Sequence, residues 1–173
     1  MRTVLTIEAL DRMSQRDFVD ALGAVFEASP WVAKRAWEHR PFGSIDALHG
    51  AMVETVRRAT GAERLALLSA HPDLAGRAAR AGAMTASSVA EQGSAGLDRL
   101  TDAEYERFQR LNAAYRERFG FPFIIAVRRH DKASILAAFE TRLGHARDDE
   151  IDAALAQVFD ITRLRLARLL GAE

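Results

Sequence analysis

The stretch TDAEYERFQRLNAAYRERFGFPFIIAV, residues 101–127, decides how the chain is read. Thr101 with Glu104 downstream is a capping-box pattern that opens a helix. Tyr105, Phe108, Leu111, Tyr115 and Phe119 then recur at helical spacing and give that helix an apolar face. Gly120 closes it. Phe121-Pro122-Phe123-Ile124-Ile125-Ala126-Val127 breaks the rhythm. It is β-branched, aromatic and too short for a good helix, so it predicts a buried extended segment.

Working outward, helix signals dominate. Ser14 with Asp17 resembles an N-cap ahead of Phe18, Leu22, Val25 and Phe26. Pro30 suits a first helical position, leading a helix through Trp31 and Trp37. Ser44 caps a helix with Ile45, Leu48, Met52, Val53 and Val56 on one face, and Gly61 is expected to end it. A short helix carries Leu65, Leu67 and Leu68 until Pro72 stops it. A polar stretch runs from Gly82 to Ser88, and another short helix is expected to start near Ser88. Two helices finish the chain, over Lys132 to Leu143 and Asp148 to Leu170. The pattern predicts an all-α, single-domain, bundle-like array over residues 1–173, with one buried extended segment near 121–127.

The bulk numbers agree with a globular chain. At 173 residues it can bury roughly 70% of the surface its unfolded form exposes. Lys+Arg and Asp+Glu both number 24, and a zero net charge argues against a nucleic-acid or membrane-surface role. Arg57-Arg58 and Arg77/Arg80 are too scattered to make a basic recognition helix. The absence of cysteine excludes a disulfide, a thiolate nucleophile and sulfur-ligated zinc. The longest apolar run, Phe121 to Val127, is far short of a membrane span. Met1 to Glu8 turns acidic before any apolar signal core develops, and Gly171-Ala172-Glu173 is not a peroxisomal signal. A cytoplasmic protein is the expectation.

The candidate chemistry begins at His71. It sits at a helix C-terminus, where the dipole favours a protonated imidazole, and reads either as a C-cap or as a general acid/base. His39, His49, His130 and His145 show no metal-ligand spacing with it or with one another. Ser88 and Glu91 read either as a capping box or with Glu91 as a second acid/base group beside His71 and Gln92 offering amide hydrogen bonds. The backbone of Phe123–Val127 has no partner strand in an all-α fold, so side chains, waters or a flat, amide-rich ligand must satisfy it. On the last helix, Arg165 falls inside the apolar stripe of Ile151, Leu155, Val158, Thr162 and Leu169. A guanidinium there needs an anion, either a structural partner or a substrate carboxylate. Asp73 is expected to cap the helix that begins after Pro72.

Together these pieces resemble the 2-oxo-4-hydroxy-4-carboxy-5-ureidoimidazoline (OHCU) decarboxylase family of urate breakdown. The resemblance runs through Ser29-Pro30-Trp31, Arg40-Pro41-Phe42 and His71-Pro72-Asp73-Leu74-Ala75-Gly76. It continues through Ser88-Val89-Ala90-Glu91-Gln92, Ala95-Gly96-Leu97, Leu111-Asn112 and Phe119-Gly120-Phe121-Pro122-Phe123, and ends at Leu164-Arg165-Leu166. It implies an all-α fold, a homodimer, no metal or organic cofactor, and formation of (S)-allantoin. It implies His71 as catalytic acid/base, with Glu91 as a second polar group. It places Pro72, Ser88, Val89, Ala90, Glu91, Gln92, Phe123, Ile124, Ile125, Ala126, Val127 and Arg165 around the substrate. Arg129-His130 departs from the pattern, where a glycine is expected, and puts the local loop shape in doubt. A silent relative that only binds a ureido or purine-derived ligand would carry the same residues.

Overall fold

Short polar side chains set where the helices start. Ser14, Ser44, Thr60 and Thr101 each accept a hydrogen bond from a backbone N–H in the first turn that follows, at 3.1, 3.0, 3.1 and 3.2 Å. Each satisfies a donor that the helix itself leaves open, an effect of about 1 kcal/mol. The structure, a computed structural model, describes residues 4–76, 82 and 84–172. Among these it is helical with no strand, as the sequence predicts.

The chain divides into two compact units. One is drawn from the residues up to Ala70 and from Phe159 onward, and the other is His71–Val158.

The first unit holds α1 (Ile7–Arg12), α2 (Gln15–Leu22), α3 (Trp31–Ala36), α4 (Ile45–Arg58) and α5 (Gly61–Ser69). α3 packs against both α2 and α4. Leu10, Phe18, Leu22, Phe26, Val32, Leu48, Met52 and Val56 are buried. α2 ends at Leu22, so Val25 and Phe26 enter the core from a turn and not from the expected helix. Pro30 is the cap residue before Trp31 rather than the first helical residue. Gly61 also differs from expectation. It opens α5 behind a Thr60–Glu63 capping box, and α4 has already ended at Arg58. The Arg40-Pro41-Phe42 run is fastened to Asp11. The Asp11 carboxylate accepts from Phe42 N at 2.8 Å, while Arg40 Nη1 donates to the Asp11 carbonyl at 3.0 Å.

The second unit holds α6 (Ala86–Ser94), α7 (Asp102–Phe119), a 3₁₀ turn (Val127–Arg129), α8 (Lys132–Leu143) and the start of α9 (Arg147–Leu169). The capping box at Thr101 and the left-handed Gly120, with φ of 83°, bound α7 as the sequence predicts. Its buried stripe is Phe108, Asn112, Tyr115 and Phe119, so Asn112 stands where the sequence suggested Leu111. Tyr115 is the hub of an aromatic cluster, with ring centroids 4.6 Å from Phe119, 5.8 Å from Phe121 and 5.4 Å from Phe123. Phe123 stacks on Phe139 of α8 at 3.7 Å. Burying each such ring contributes about 1.5–3 kcal/mol, which fixes Phe121–Val127 against α7 and α8. All seven residues of that segment are buried, in agreement with the sequence reading. On α9, Leu155, Val158 and Thr162 are buried, but Leu169 is exposed because the helix ends there. No helix among the described residues is long and apolar enough to cross a membrane.

Candidate active site

His71 lies just past the end of α5, whose C-cap is Ala70, and is only 6% exposed. The proline after it prevents another helical turn, so the chain leaves α5 at a corner. The loop that follows is clamped from both sides. Gln92 of α6 accepts from Ala75 N at 2.9 Å and donates to the Asp73 carbonyl at 3.2 Å. From α7, Asn112 Nδ2 donates to the Leu74 carbonyl at 2.9 Å and Gln109 Nε2 to the Ala75 carbonyl at 3.1 Å. Arg116 Nε meets Asp73 Oδ1 at 2.9 Å. Asp73 is thereby ion-paired to α7, while the cap expected of it would lie on residues 77–81, which are outside the described residues and include Arg77 and Arg80. The turn itself is tight. Ala75 adopts φ of +51°, and a Cβ on Gly76 would come within 2.8 Å of Asp73 Cβ.

α6 starts earlier than the sequence suggested. Thr85 is its N-cap and accepts from Ser88 N at 3.3 Å, so Ser88 occupies the first turn and the Ser88–Glu91 capping box does not form. Ser88 is buried, and its hydroxyl accepts from Thr85 Oγ1 at 3.1 Å. Ser88 and Gln92 share the inward face, Glu91 borders it half-buried, and Val89 and Ala90 face outward. The Gln92 amide, read from the sequence as a ligand contact, spends its bonds on the His71 loop and on Met84 Sδ. α6 also packs against the Val127–Arg129 turn. The same short helix thus holds the loop after His71 and lies beside the end of the extended segment.

Polar side chains hold that segment from α8 and α9. Arg142 Nη1 donates to the Ile124 carbonyl at 2.5 Å, and its guanidinium lies 4.4 Å over the Phe123 ring. Gln157 Oε1 accepts from Ala126 N at 3.0 Å. Arg142 Nε in turn meets Glu150 Oε1, which also accepts from the Tyr115 hydroxyl at 2.6 Å. His145 Nδ1 lies 3.0 Å from the other Glu150 oxygen. Burial, and then the bond to Glu150, push the Tyr115 phenol above its ordinary value, so it stays a donor. Arg129 N donates to the Ala126 carbonyl and His130 Nδ1 lies 3.0 Å from Ser134 Oγ, so the Arg129-His130 departure forms an ordered turn into α8.

Arg165 belongs to the first unit. Its Nη1 pairs with Glu27 Oε2 at 2.9 Å and donates to the Val25 carbonyl at 3.2 Å, both side chains being nearly buried. The structural anion that a core-facing guanidinium needs is therefore present.

Sequence reasoning missed Gln109, Asn112, Arg116, Arg142, Glu150 and Gln157. Asn112 left a signal, a polar residue at apolar spacing within α7. The others give no local sign of the partner each one reaches.

Comparison with known proteins fixes the class and then the family. The family model described as OHCU decarboxylase matches residues 11–167, which places the chain among the decarboxylases. A relative from Halalkalicoccus jeotgali, named 2-oxo-4-hydroxy-4-carboxy-5-ureidoimidazoline decarboxylase, is 50% identical over 167 residues, covering 96% of this chain and 93% of the relative. The chain belongs to the OHCU decarboxylase family. A solved structure of (S)-allantoin synthase matches 96% of this chain with a TM-score of 0.74 and 33% identity, and this chain spans 54% of that longer one. A crystal structure of OHCU decarboxylase in the presence of (S)-allantoin matches 92% of this chain and 99% of its own with a TM-score of 0.70. At 20% identity that second likeness speaks to the shared fold.

Proposed function

We propose that the chain decarboxylates 2-oxo-4-hydroxy-4-carboxy-5-ureidoimidazoline to (S)-allantoin, as a cytoplasmic homodimer that needs no metal or organic cofactor. The observation that carries this reading is the buried His71 on a loop clamped to α6, the helix that also packs beside the extended segment.

The substrate supplies its own electron sink. A carboxylate and a hydroxyl share one ring carbon beside a C=N bond. When the bond to CO2 breaks, its electron pair forms a ring C=C bond, and the C=N nitrogen takes a proton. The hydroxyl then gives up its proton and becomes the ring carbonyl, while the neighbouring carbon takes a proton on one face. One proton is consumed overall. In this proposal His71, with Glu91, moves the hydroxyl proton, and delivery to a single face sets the S configuration. Pro72 and Ser88 to Gln92 line the ring, the backbone of Phe123–Val127 holds its amides, and Arg165 orients the carboxylate.

The test uses enzymatically generated OHCU, followed by its absorbance and by the circular dichroism of allantoin. The wild-type protein is expected to speed the appearance of one optical sign over the spontaneous decay, unchanged after treatment with a chelator. His71→Asn is expected to lose about 100-fold or more of that rate. Near-normal turnover by His71→Asn would remove the assignment of the acid/base. A wild-type protein that left the spontaneous, racemic decay unaltered would be a binding module.

A further inference from the structure

We infer that Gln157 and Arg142 are positioning residues that turn the backbone N–H and C=O of Ile125 toward the ligand. The inference rests on the proposed use of Phe123–Val127 as the ligand-holding segment. The only cis peptide among the described residues is Arg40–Pro41, so the bonds on either side of Ile125 are trans. In a planar trans peptide the C=O and the following N–H point in opposite directions. The Ile124 carbonyl is taken by Arg142 Nη1, so the Ile125 N–H points away from Arg142. The Ala126 N–H is taken by Gln157 Oε1, so the Ile125 carbonyl points away from Gln157. Ile125 is 4% exposed, and neither of its backbone groups has a hydrogen-bond partner among the described residues.

Buried backbone groups are nearly always paired, so a donor and an acceptor left together on one residue call for a partner. That pair complements a ring amide, which presents its own C=O beside its own N–H. Arg142 is tied into the Glu150 network and serves the fold as well, whereas the Gln157 amide contributes one acceptor to one N–H. Gln157 is therefore the residue through which the orientation of Ile125 can be varied.

The first measurement is amide hydrogen exchange of the wild-type protein with and without (S)-allantoin. The ligand is expected to slow exchange at the Ile125 N–H and to leave the Ala126 N–H, already held by Gln157, unchanged. The second is steady-state kinetics of Gln157→Met, which removes the acceptor, and Gln157→Glu, which keeps one. Gln157→Met is expected to raise KM for OHCU about tenfold with kcat within about threefold, and Gln157→Glu to restore KM to within about threefold of wild type. An Ile125 N–H indifferent to allantoin overturns the inference, as does an unchanged KM in Gln157→Met or an equal loss in both variants. In each of those cases a wild-type protein that still makes (S)-allantoin leaves the proposed function standing. A wild-type protein with no turnover removes both.

Discussion

Arg142 and Glu150 form a buried ion pair, Nε to Oε1, in which the glutamate is wholly inaccessible and the arginine side chain is 10% exposed. Such a pair is costly to assemble, because both ions leave water, and costlier to halve. Glu150→Gln is expected to destabilise the protein by about 3–5 kcal/mol in urea unfolding, because the Arg142 charge stays buried without its counter-charge. A loss below about 1 kcal/mol would show that water reaches the pair.

Asn112 is the stay of the loop that carries His71. Asn112→Leu keeps the branching at Cγ but leaves the Leu74 carbonyl without its donor. Equilibrium unfolding is expected to show a loss of about 1–3 kcal/mol. Turnover of OHCU is expected to fall by more than the folded fraction does, since His71 loses its register. Equal falls in the two would make Asn112 a stability residue alone.

Two variants separate the structural role of Arg165 from the one proposed for it toward the substrate. Glu27→Gln removes its structural counter-charge, and Arg165→Met removes the guanidinium itself. If Arg165 orients the substrate carboxylate, Arg165→Met raises KM about tenfold or more over Glu27→Gln, a loss typical of a charged hydrogen bond. Matching KM values for the two variants would confine Arg165 to the fold.

His49 makes stability sensitive to acid. Its Nε2 lies 2.9 Å from Thr162 Oγ1, which is itself 3.1 Å from the Phe159 carbonyl. Burial first, and Arg163 second, hold the imidazole below its ordinary 6.5, while a hydrogen bond to the Phe159 backbone, then Asp46 and Asp160, pull the other way. The unfolded chain therefore binds the proton more readily than the folded one. The stabilisation is complete above 6.5 and is lost as the pH falls through that value toward the lower folded one. The unfolding midpoint is expected to drop between about pH 7 and about pH 5, and His49→Gln to flatten that part of the profile. An identical slope in the variant would assign the drop to other groups.

Local signals in the sequence carried far. Ser14, Ser44, Thr101 and Gly120 act through neighbours only a turn away, so their roles could be read from spacing. The extended segment declared itself because Phe121–Val127 has the wrong composition and length for a helix. Ser88 misled because Thr85 and Ser88 are overlapping cap signals, and the competition was settled in favour of Thr85 when Ser88 was buried. Gly61 misled because Thr60 beside it is a stronger opening signal than glycine is a closing one. The pairings that position the candidate site were not legible. Gln157 reaches Ala126 across 31 positions and Asn112 reaches Leu74 across 38, and nothing in either neighbourhood marks the pairing.

The tight turn after His71 has a consequence for how freely this stretch can be spelled. Any side chain at Gly76 collides with Asp73, whereas the left-handed Ala75 is the wrong hand for its own Cβ, at a cost of about 1–2 kcal/mol. A saturation library over these neighbours should return glycine alone at Gly76 and enrich glycine and asparagine at Ala75. The histidine's address would then be written by residues with no reactive group at all, and a variant could lose its chemistry through a single added methyl.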